Sequence, residues 1–254
     1  MKLFHFITAP SFSIFNISIV YIFIWRDRVK IVGIIGRAYY NIDNKKIIQC
    51  SEFIRKALAL YDDVVSILLL PQENIFYVDT PIGKDKINEK KLNYILDKCD
   101  AFIAPGGNSF YKFDEFIIKY AIKHNKPLLG ICAGFQSLCS IFAKKRTKFD
   151  MTEEVKEKNH NADPYIYIHN VKIKKGTKLY NILKKENIFV NSCHNNCVNF
   201  EMNTLKISSY SDDNIIESCE VPLKKFIIAL QWHPEYLMDK NSIKIFDAFI
   251  NSFK

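Results

Sequence analysis

The sequence predicts an α/β fold with a mostly parallel central sheet and helices on both faces. Three observations carry that expectation. Between residues 29 and 131, short apolar runs alternate with amphipathic stretches. The run Leu128-Leu129-Gly130-Ile131 passes straight into Cys132-Ala133-Gly134, a strand-to-helix junction with a cysteine between two glycines. A last apolar run, Phe226 to Leu230, leads into Gln231-Trp232-His233-Pro234-Glu235 and then a closing amphipathic segment.

Val29 to Ile35 is a continuous apolar run broken only by Lys30 and Gly33, as a strand buried on both faces requires. Lys46 to Tyr61 carries Ile47, Ile48, Ile54, Ala57 and Leu58 on one stripe and is expected to be helical. Val64 to Leu70 follows as a strand, Ile87 to Lys98 as a helix, Ala101 to Ala104 as a strand, Phe110 to His124 as a helix and Pro127 to Ile131 as a strand. Residues 144–163 are polar, charged and aperiodic, and are expected to run over the surface. Beyond them lie short β-like runs at Tyr165 to Ile168, Ile188 to Val190, Leu205 to Ile207, Ile215 to Glu217 and Phe226 to Leu230. Asp239 to Phe253 closes as a helix whose apolar face is Ile243, Ile245, Phe246, Phe249 and Ile250.

With 254 residues and 48% hydrophobic content, the chain can bury a sizeable core in one domain, expected over residues 29–254. Residues 1–28 differ. Leu3 to Trp25 holds no Lys, Arg, Asp or Glu over 23 residues, long enough to cross a bilayer as a helix, although Pro10, Asn16 and several serines dilute it. Two readings stand for this extension: an anchor that leaves the rest of the chain on the cytoplasmic side, as Arg26, Arg28 and Lys30 after it would require, or an apolar segment packed on the domain. The net charge of +9 comes from lysines scattered without interleaved aromatics, so no nucleic-acid partner is expected. Seven cysteines form no disulfide framework, which favours a reducing, cytoplasmic setting. Cys193-His194 with Cys197 is the nearest thing to a metal signature, and it falls short of the four ligands of a zinc site, so no metal is expected.

A nucleophile on a sharp strand-to-helix turn is forced outward, and its neighbours must be small for the chain to reverse there. Cys132 meets that description, and the positive end of the following helix favours its reactive thiolate. Cys139, seven residues on, reads as a core cysteine. A thiol nucleophile needs a base, and the base an orienting group. His233 stands directly after an apolar strand, at the carboxyl end where functional groups of such sheets gather. Glu235, two residues on, can fix its tautomer.

Together these residues resemble the class I glutamine amidotransferase superfamily, which has a flavodoxin-like sheet, a Gly-x-Cys-x-Gly elbow, a later His-Pro-Glu, and a Pro-Gly-Gly turn between a strand and the nucleophile. Here those are Gly130 to Gly134, His233 to Glu235, and Pro105-Gly106-Gly107, in the family's order. The C-terminal half resembles the gamma-glutamyl-gamma-aminobutyrate hydrolase branch in three further places: His169-Asn170-Val171, Asn191-Ser192-Cys193-His194, and the acidic turn Asp212-Asp213 leading to Ile216-Glu217. It departs from the branch at Asn195-Asn196, where His-Gln is usual, at Ala133, where arginine is common, and at Ala143 to Arg146, where a Gly-Gly-Thr-Leu turn is expected.

The resemblance implies Cys132, His233 and Glu235 as the catalytic residues and Gly107 and Ala133 as backbone donors to an oxyanion. It places substrate contacts at Gly106, Gln136, Asn191, Ser192 and His194, and calls for no cofactor. The implied substrate is a small γ-glutamyl amide, hydrolysed by the chain acting alone. The alternative is a glutaminase subunit that passes ammonia to a separate synthetase chain. A catalytically silent binding protein on the same fold is disfavoured by the intact Cys132, His233 and Glu235.

Overall fold

The computed structural model of the chain describes residues 29–71, 87–107, 112–143, 153–154, 160–199 and 201–253. The apolar extension 1–28, the start of the helix expected from Phe110, and most of 144–163 lie outside the described residues. No helix among the described residues is long and apolar enough to cross a membrane.

In chain order the strands are β1 (Lys30–Ile35), β2 (Arg37–Tyr40), β3 (Lys46–Gln49), β4 (Val64–Leu69), β5 (Ala101–Ala104), β6 (Leu128–Ile131), β7 (Glu153–Glu154), β8 (His169–Ile173), β9 (Asn187–Val190), β10 (Asn196–Cys197), β11 (Lys206–Ser211), β12 (Ile216–Glu220) and β13 (Ile227–Leu230). The helices are α1 (Glu52–Leu58), α2 (Glu89–Leu96), α3 (Lys112–His124), α4 (Ala133–Ile141), α5 (Lys178–Leu183), α6 (Pro234–Leu237) and α7 (Lys240–Asn251).

Nine strands form one sheet in the order β4-β1-β5-β6-β13-β12-β11-β8-β9. The first five are mutually parallel, and from β13 onward each neighbour is antiparallel. The parallel strands are covered on both sides. In β5, Ala101 and Ile103 face one core with α1, α5 and α7, while Phe102 and Ala104 face a second core with α2, α3 and α4. That two-sided burial is why these strands read as unbroken apolar runs rather than alternating ones. On α7, Ile245, Phe246, Phe249 and Ile250 are buried, each contributing about 1.5–3 kcal/mol of apolar transfer. Asp239 caps that helix by accepting from the Ser242 amide at 2.8 Å.

Two expected elements change. The helix expected over Lys46 to Tyr61 is split, because Ile47 and Ile48 pair with Tyr39 and Ala38 in the β2–β3 hairpin, and the helix begins only after its cap, Ser51. Tyr165 to Ile168 forms no strand: Tyr165, Ile166 and Tyr167 are exposed, and Tyr165 turns its ring onto Phe53 and Tyr236.

Candidate active site

The cleft lies at the carboxyl ends of β5, β6 and β13. Cys132 follows β6 and takes φ 51° and ψ −106°, a left-handed backbone that a non-glycine residue adopts only under strain. The strain is held by hydrogen bonds on either side: the Cys132 amide donates to Leu230 O at 2.8 Å, and the Gln136 amide donates to Cys132 O at 3.0 Å. Small flanks are required. A Cβ on Gly134 would sit 1.9 Å from the Ala104 carbonyl oxygen, so α4 can rest on the end of β5 only with glycine there. A Cβ on Gly130 would come within 2.8 Å of Ala229, its neighbour across the sheet.

His233 ends the β13 side of the cleft. Its Nδ1 lies 2.8 Å from Glu235 Oε1, and both residues are buried. Gly106 lies between the two reactive side chains, for an added Cβ would fall 2.8 Å from His233 Cε1 and 3.5 Å from Cys132 Cβ. Burial pushes the His233 imidazole toward neutrality, but the Glu235 carboxylate and a Cys132 thiolate beside it overcome this and hold its pKa well above the ordinary histidine value. The arrangement can therefore hold an imidazolium beside the Cys132 sulfur.

Cys132, His233, Glu235, Gly106 and Gly107 all line one cavity of about 390 Å³, together with Tyr39, Gln49, Ser51, Glu52, Phe53, Cys193 and Tyr236. Ala133 is the first residue of α4, where a helix leaves its amide without an intrahelical acceptor. The remaining expected substrate contacts do not reach the cavity wall. The Asn191 amide group donates to His233 O at 2.8 Å and to Pro164 O at 2.6 Å, and its oxygen accepts from the His233 amide at 3.1 Å. Gln136 donates to Asn196 O and Gln231 Oε1, and Ser192 to His160 O. His194 is turned inward against His160. These side chains are spent on backbone and on one another, behind the cleft rather than in it. Cys193, between Ser192 and His194, is the residue of that segment that faces the cavity.

Arg37 is a site residue that the sequence reading missed. It is 2% exposed and ion-pairs with Asp114, itself fully buried. Its guanidinium also donates to the carbonyls of Pro105 and Gly106, and its stem packs where a Cβ on Gly107 would be, 2.8 Å from Cδ. Arg37 thus fixes the Pro-Gly-Gly turn from below. Burial raises the Asp114 carboxyl above its ordinary value against the pull of Arg37. A signal existed, because Asp114 stands on the same helix face as Phe113, Ile117, Ile118 and Ala121, and an acid on a buried stripe needs a partner.

Comparison with known proteins bears on this geometry. A model of the Peptidase C26 family matches residues 111–235, which include both Cys132 and His233. A glutamine amidotransferase-like protein of Rickettsia prowazekii is 26% identical over 225 residues, covering 64% of this chain and 80% of its own. The glutaminase domain of Trypanosoma brucei CTPS, solved with bound acivicin, superposes with a TM-score of 0.62 at 17% identity over 88% of this chain and 93% of that one. The Peptidase C26 match and the likeness to glutamine amidotransferase-like proteins support placement in the class I glutamine amidotransferase superfamily, and the fold is that of its glutaminase domains. Within the superfamily, the CTP synthase of Lactobacillus johnsonii is 28% identical over 234 residues, and the match covers 78% of this chain but only 43% of that protein.

Proposed function

We propose that the chain hydrolyses the γ-glutamyl amide bond of a small γ-glutamyl compound through a thioester on Cys132. The observation that carries this reading is the shared cavity, in which a strained, outward-turned Cys132 meets a His233 held by Glu235. The thiolate attacks the γ-carbonyl carbon, and the carbonyl oxygen takes the negative charge. The amides of Gly107 and Ala133 are the assigned donors to that oxygen, and such a donor is worth about 3 kcal/mol in the transition state. His233 then gives its proton to the departing nitrogen, the C–N bond breaks, and amine leaves. Water adds to the thioester with His233 as base and releases glutamate and the Cys132 thiol. Asn191 acts through His233, clasping its backbone amide and carbonyl. No step in this scheme needs a cofactor.

The glutaminase reading is favoured by the match to CTP synthase and predicts a chain that is idle without a synthetase partner. The hydrolase reading rests on the Peptidase C26 match and predicts a chain active alone. The deciding measurement is amine and ammonia release by the purified chain from γ-glutamyl amides, γ-glutamyl peptides and glutamine, with Cys132→Ser as blank. Amine release above the blank, faster than ammonia from glutamine, is expected. Glutamine hydrolysis that appears only on adding a second protein would replace this reading with the other. Inactivation by acivicin should leave its modification on Cys132, read by peptide mass spectrometry, and an unmodified Cys132 in a fully inactivated sample would overturn the nucleophile assignment.

A further inference from the structure

The three branch-like motifs of the C-terminal half converge on one point behind the cleft. His169 comes from the start of β8, Glu217 from β12, and His194 from the turn before β10; His160, from the stretch expected to be surface, joins them. Glu217 is fully buried, and the three imidazoles are buried with it. Glu217 Oε1 lies 3.4 Å from His160 Nδ1, 3.7 Å from His169 Nε2 and 3.8 Å from His194 Nε2, and the His160 and His194 nitrogens are 3.3 Å apart.

Proton bookkeeping makes this cluster unusual. Each ring has its other nitrogen on an oxygen: His160 Nε2 is 3.0 Å from Asp213 Oδ2, His194 Nδ1 is 3.1 Å from Asn196 O, and His169 Nδ1 is 3.3 Å from Asn170 O. Those oxygens only accept, so those nitrogens carry the hydrogens. In neutral imidazoles, the nitrogens that face inward are then lone pairs, and they surround a carboxylate that is all lone pairs too. Neither Glu217 oxygen nor His169 Nε2 has a hydrogen-bond partner among the described residues. Where a histidine and a glutamate do bond here, His233 and Glu235, they close to 2.8 Å.

We propose that His160 Nδ1, His169 Nε2, His194 Nε2 and the Glu217 carboxylate form a tetrahedral site for a divalent transition-metal ion of the zinc type. Metal–nitrogen and metal–oxygen bonds of about 2.0 Å set the edges of a tetrahedron near 3.3 Å, so the spacings to Glu217 and between His160 and His194 need to contract by up to about 0.5 Å, while His169, whose nitrogen lies within 4.8 Å of that of His160, must draw closer to the other two imidazoles as the ion binds. The oxygens on the outer nitrogens are the orienting partners that metal-bound histidines use, and they fix each tautomer for ligation. Imidazole and carboxylate donors without thiolate suit zinc-type ions over calcium or magnesium. Four protein ligands leave no open position, so the ion is structural: it ties β8 and β12 to the 191–194 segment, whose Asn191 clasps His233. A cavity of about 280 Å³ lined by His160, His169, Asp212 and Asp213 gives the ion a route in past two carboxylates. This site replaces the expectation of no metal, and it uses neither Cys193 nor Cys197.

The test uses the full chain, purified and stripped with a chelator. Titration with Zn²⁺ should show about one equivalent bound and a raised Tm, and Co²⁺ in its place should give the visible absorption of tetrahedral coordination. Asp213→Asn, which meets the cluster through the outer nitrogen of His160 and otherwise accepts from the Ser211 hydroxyl, should fold and lose about 10–100-fold in Zn²⁺ affinity. His169→Ala should abolish the cobalt spectrum. The rival arrangement balances Glu217 with a proton on His160, which burial opposes but the Glu217 and Asp213 carboxylates favour. In that case the stripped chain takes up no Zn²⁺, its Tm does not respond to metal, and the proposal is overturned. Zn²⁺ uptake that Asp213→Asn and His169→Ala leave unchanged would place the ion elsewhere and overturn it equally.

Discussion

The two halves of the nine-stranded sheet place their polar residues in opposite ways. In the parallel half, strands β1, β5 and β6 are apolar along most of their length, and Cys132 and His233 stand just past the carboxyl ends of β6 and β13. In the antiparallel half, buried polar side chains sit inside the strands: His169 in β8, Ser208, Ser209 and Ser211 in β11, Glu217, Ser218 and Glu220 in β12. Chemistry at strand ends can face a cavity and turn over substrate. The polar groups inside these strands do not line the active-site cavity, and their contribution is to geometry and stability. The two halves meet at Asn191, which follows β9 and holds the backbone of His233, three residues past the end of β13.

That division yields expectations that can fail. At the strand ends, His233→Ala should lower turnover by at least about 10⁴-fold. Turnover within about tenfold of the parent chain would remove His233 from the reaction. Asp114→Ala tests the converse within the parallel half, since it strands Arg37 as a buried charge. Its expected cost is about 3–5 kcal/mol of unfolding free energy by denaturant titration. A loss under about 1 kcal/mol would mean that interior charges matter no more here than surface ones.

At the junction, Asn191→Ala should lower kcat by about 100-fold with little change in KM, because the misplaced imidazole affects the reaction more than binding. An equal rise in KM would put Asn191 in contact with substrate after all. The pH dependence sharpens the same point. His233 has a folded pKa above its unfolded value of about 6.5, so its contribution to stability is fully present below pH 6.5 and is lost as pH rises through the folded pKa. Glu235→Gln removes a main support of that rise. The alkaline limb of kcat/KM should therefore move to lower pH, and an unmoved limb would mean that another group sets it. Smallest of all, Ser209→Ala deletes the 2.6 Å contact between Ser209 and Ser218 hydroxyls and should cost about 1 kcal/mol without touching turnover.

What could be read from the sequence follows the same division. The parallel strands were legible because burial on both faces leaves apolar runs such as Ala101 to Ala104, whose observed bounds are those expected. Cys132 and His233 were legible because glycine spacing and strand-end position are local patterns. Glu217 and His169 were legible as motifs, but nothing local says that two antiparallel strands separated by β11 bring them together with His194. His160 was hidden altogether: its neighbours in sequence are polar and aperiodic, and its burial comes from partners 34 and 53 residues away. The resemblance places Asn191 in the pocket, and no local pattern shows that its side chain instead clasps the backbone of His233. Two adjacent isoleucines fit either period, so Ile47 and Ile48 read as helical in sequence where the chain forms a hairpin.

Cys193 deserves a chemist's attention for a different reason. It is exposed and lines the same cavity as Cys132, which is buried at the turn. A covalent inhibitor entering that cavity meets three sulfurs, those of Cys50, Cys132 and Cys193, of which Cys193 is the exposed one and Cys132 the buried one. A small, fast electrophile would be captured at the rim before it reached the turn, whereas under the proposed hydrolase reading a reagent shaped as a γ-glutamyl group would be carried past Cys193 to the inner thiol. Selectivity of a warhead against this protein is therefore a matter of recognition rather than of intrinsic reactivity, and replacing both Cys50 and Cys193 with serine would give a cavity in which any label reports on Cys132 alone.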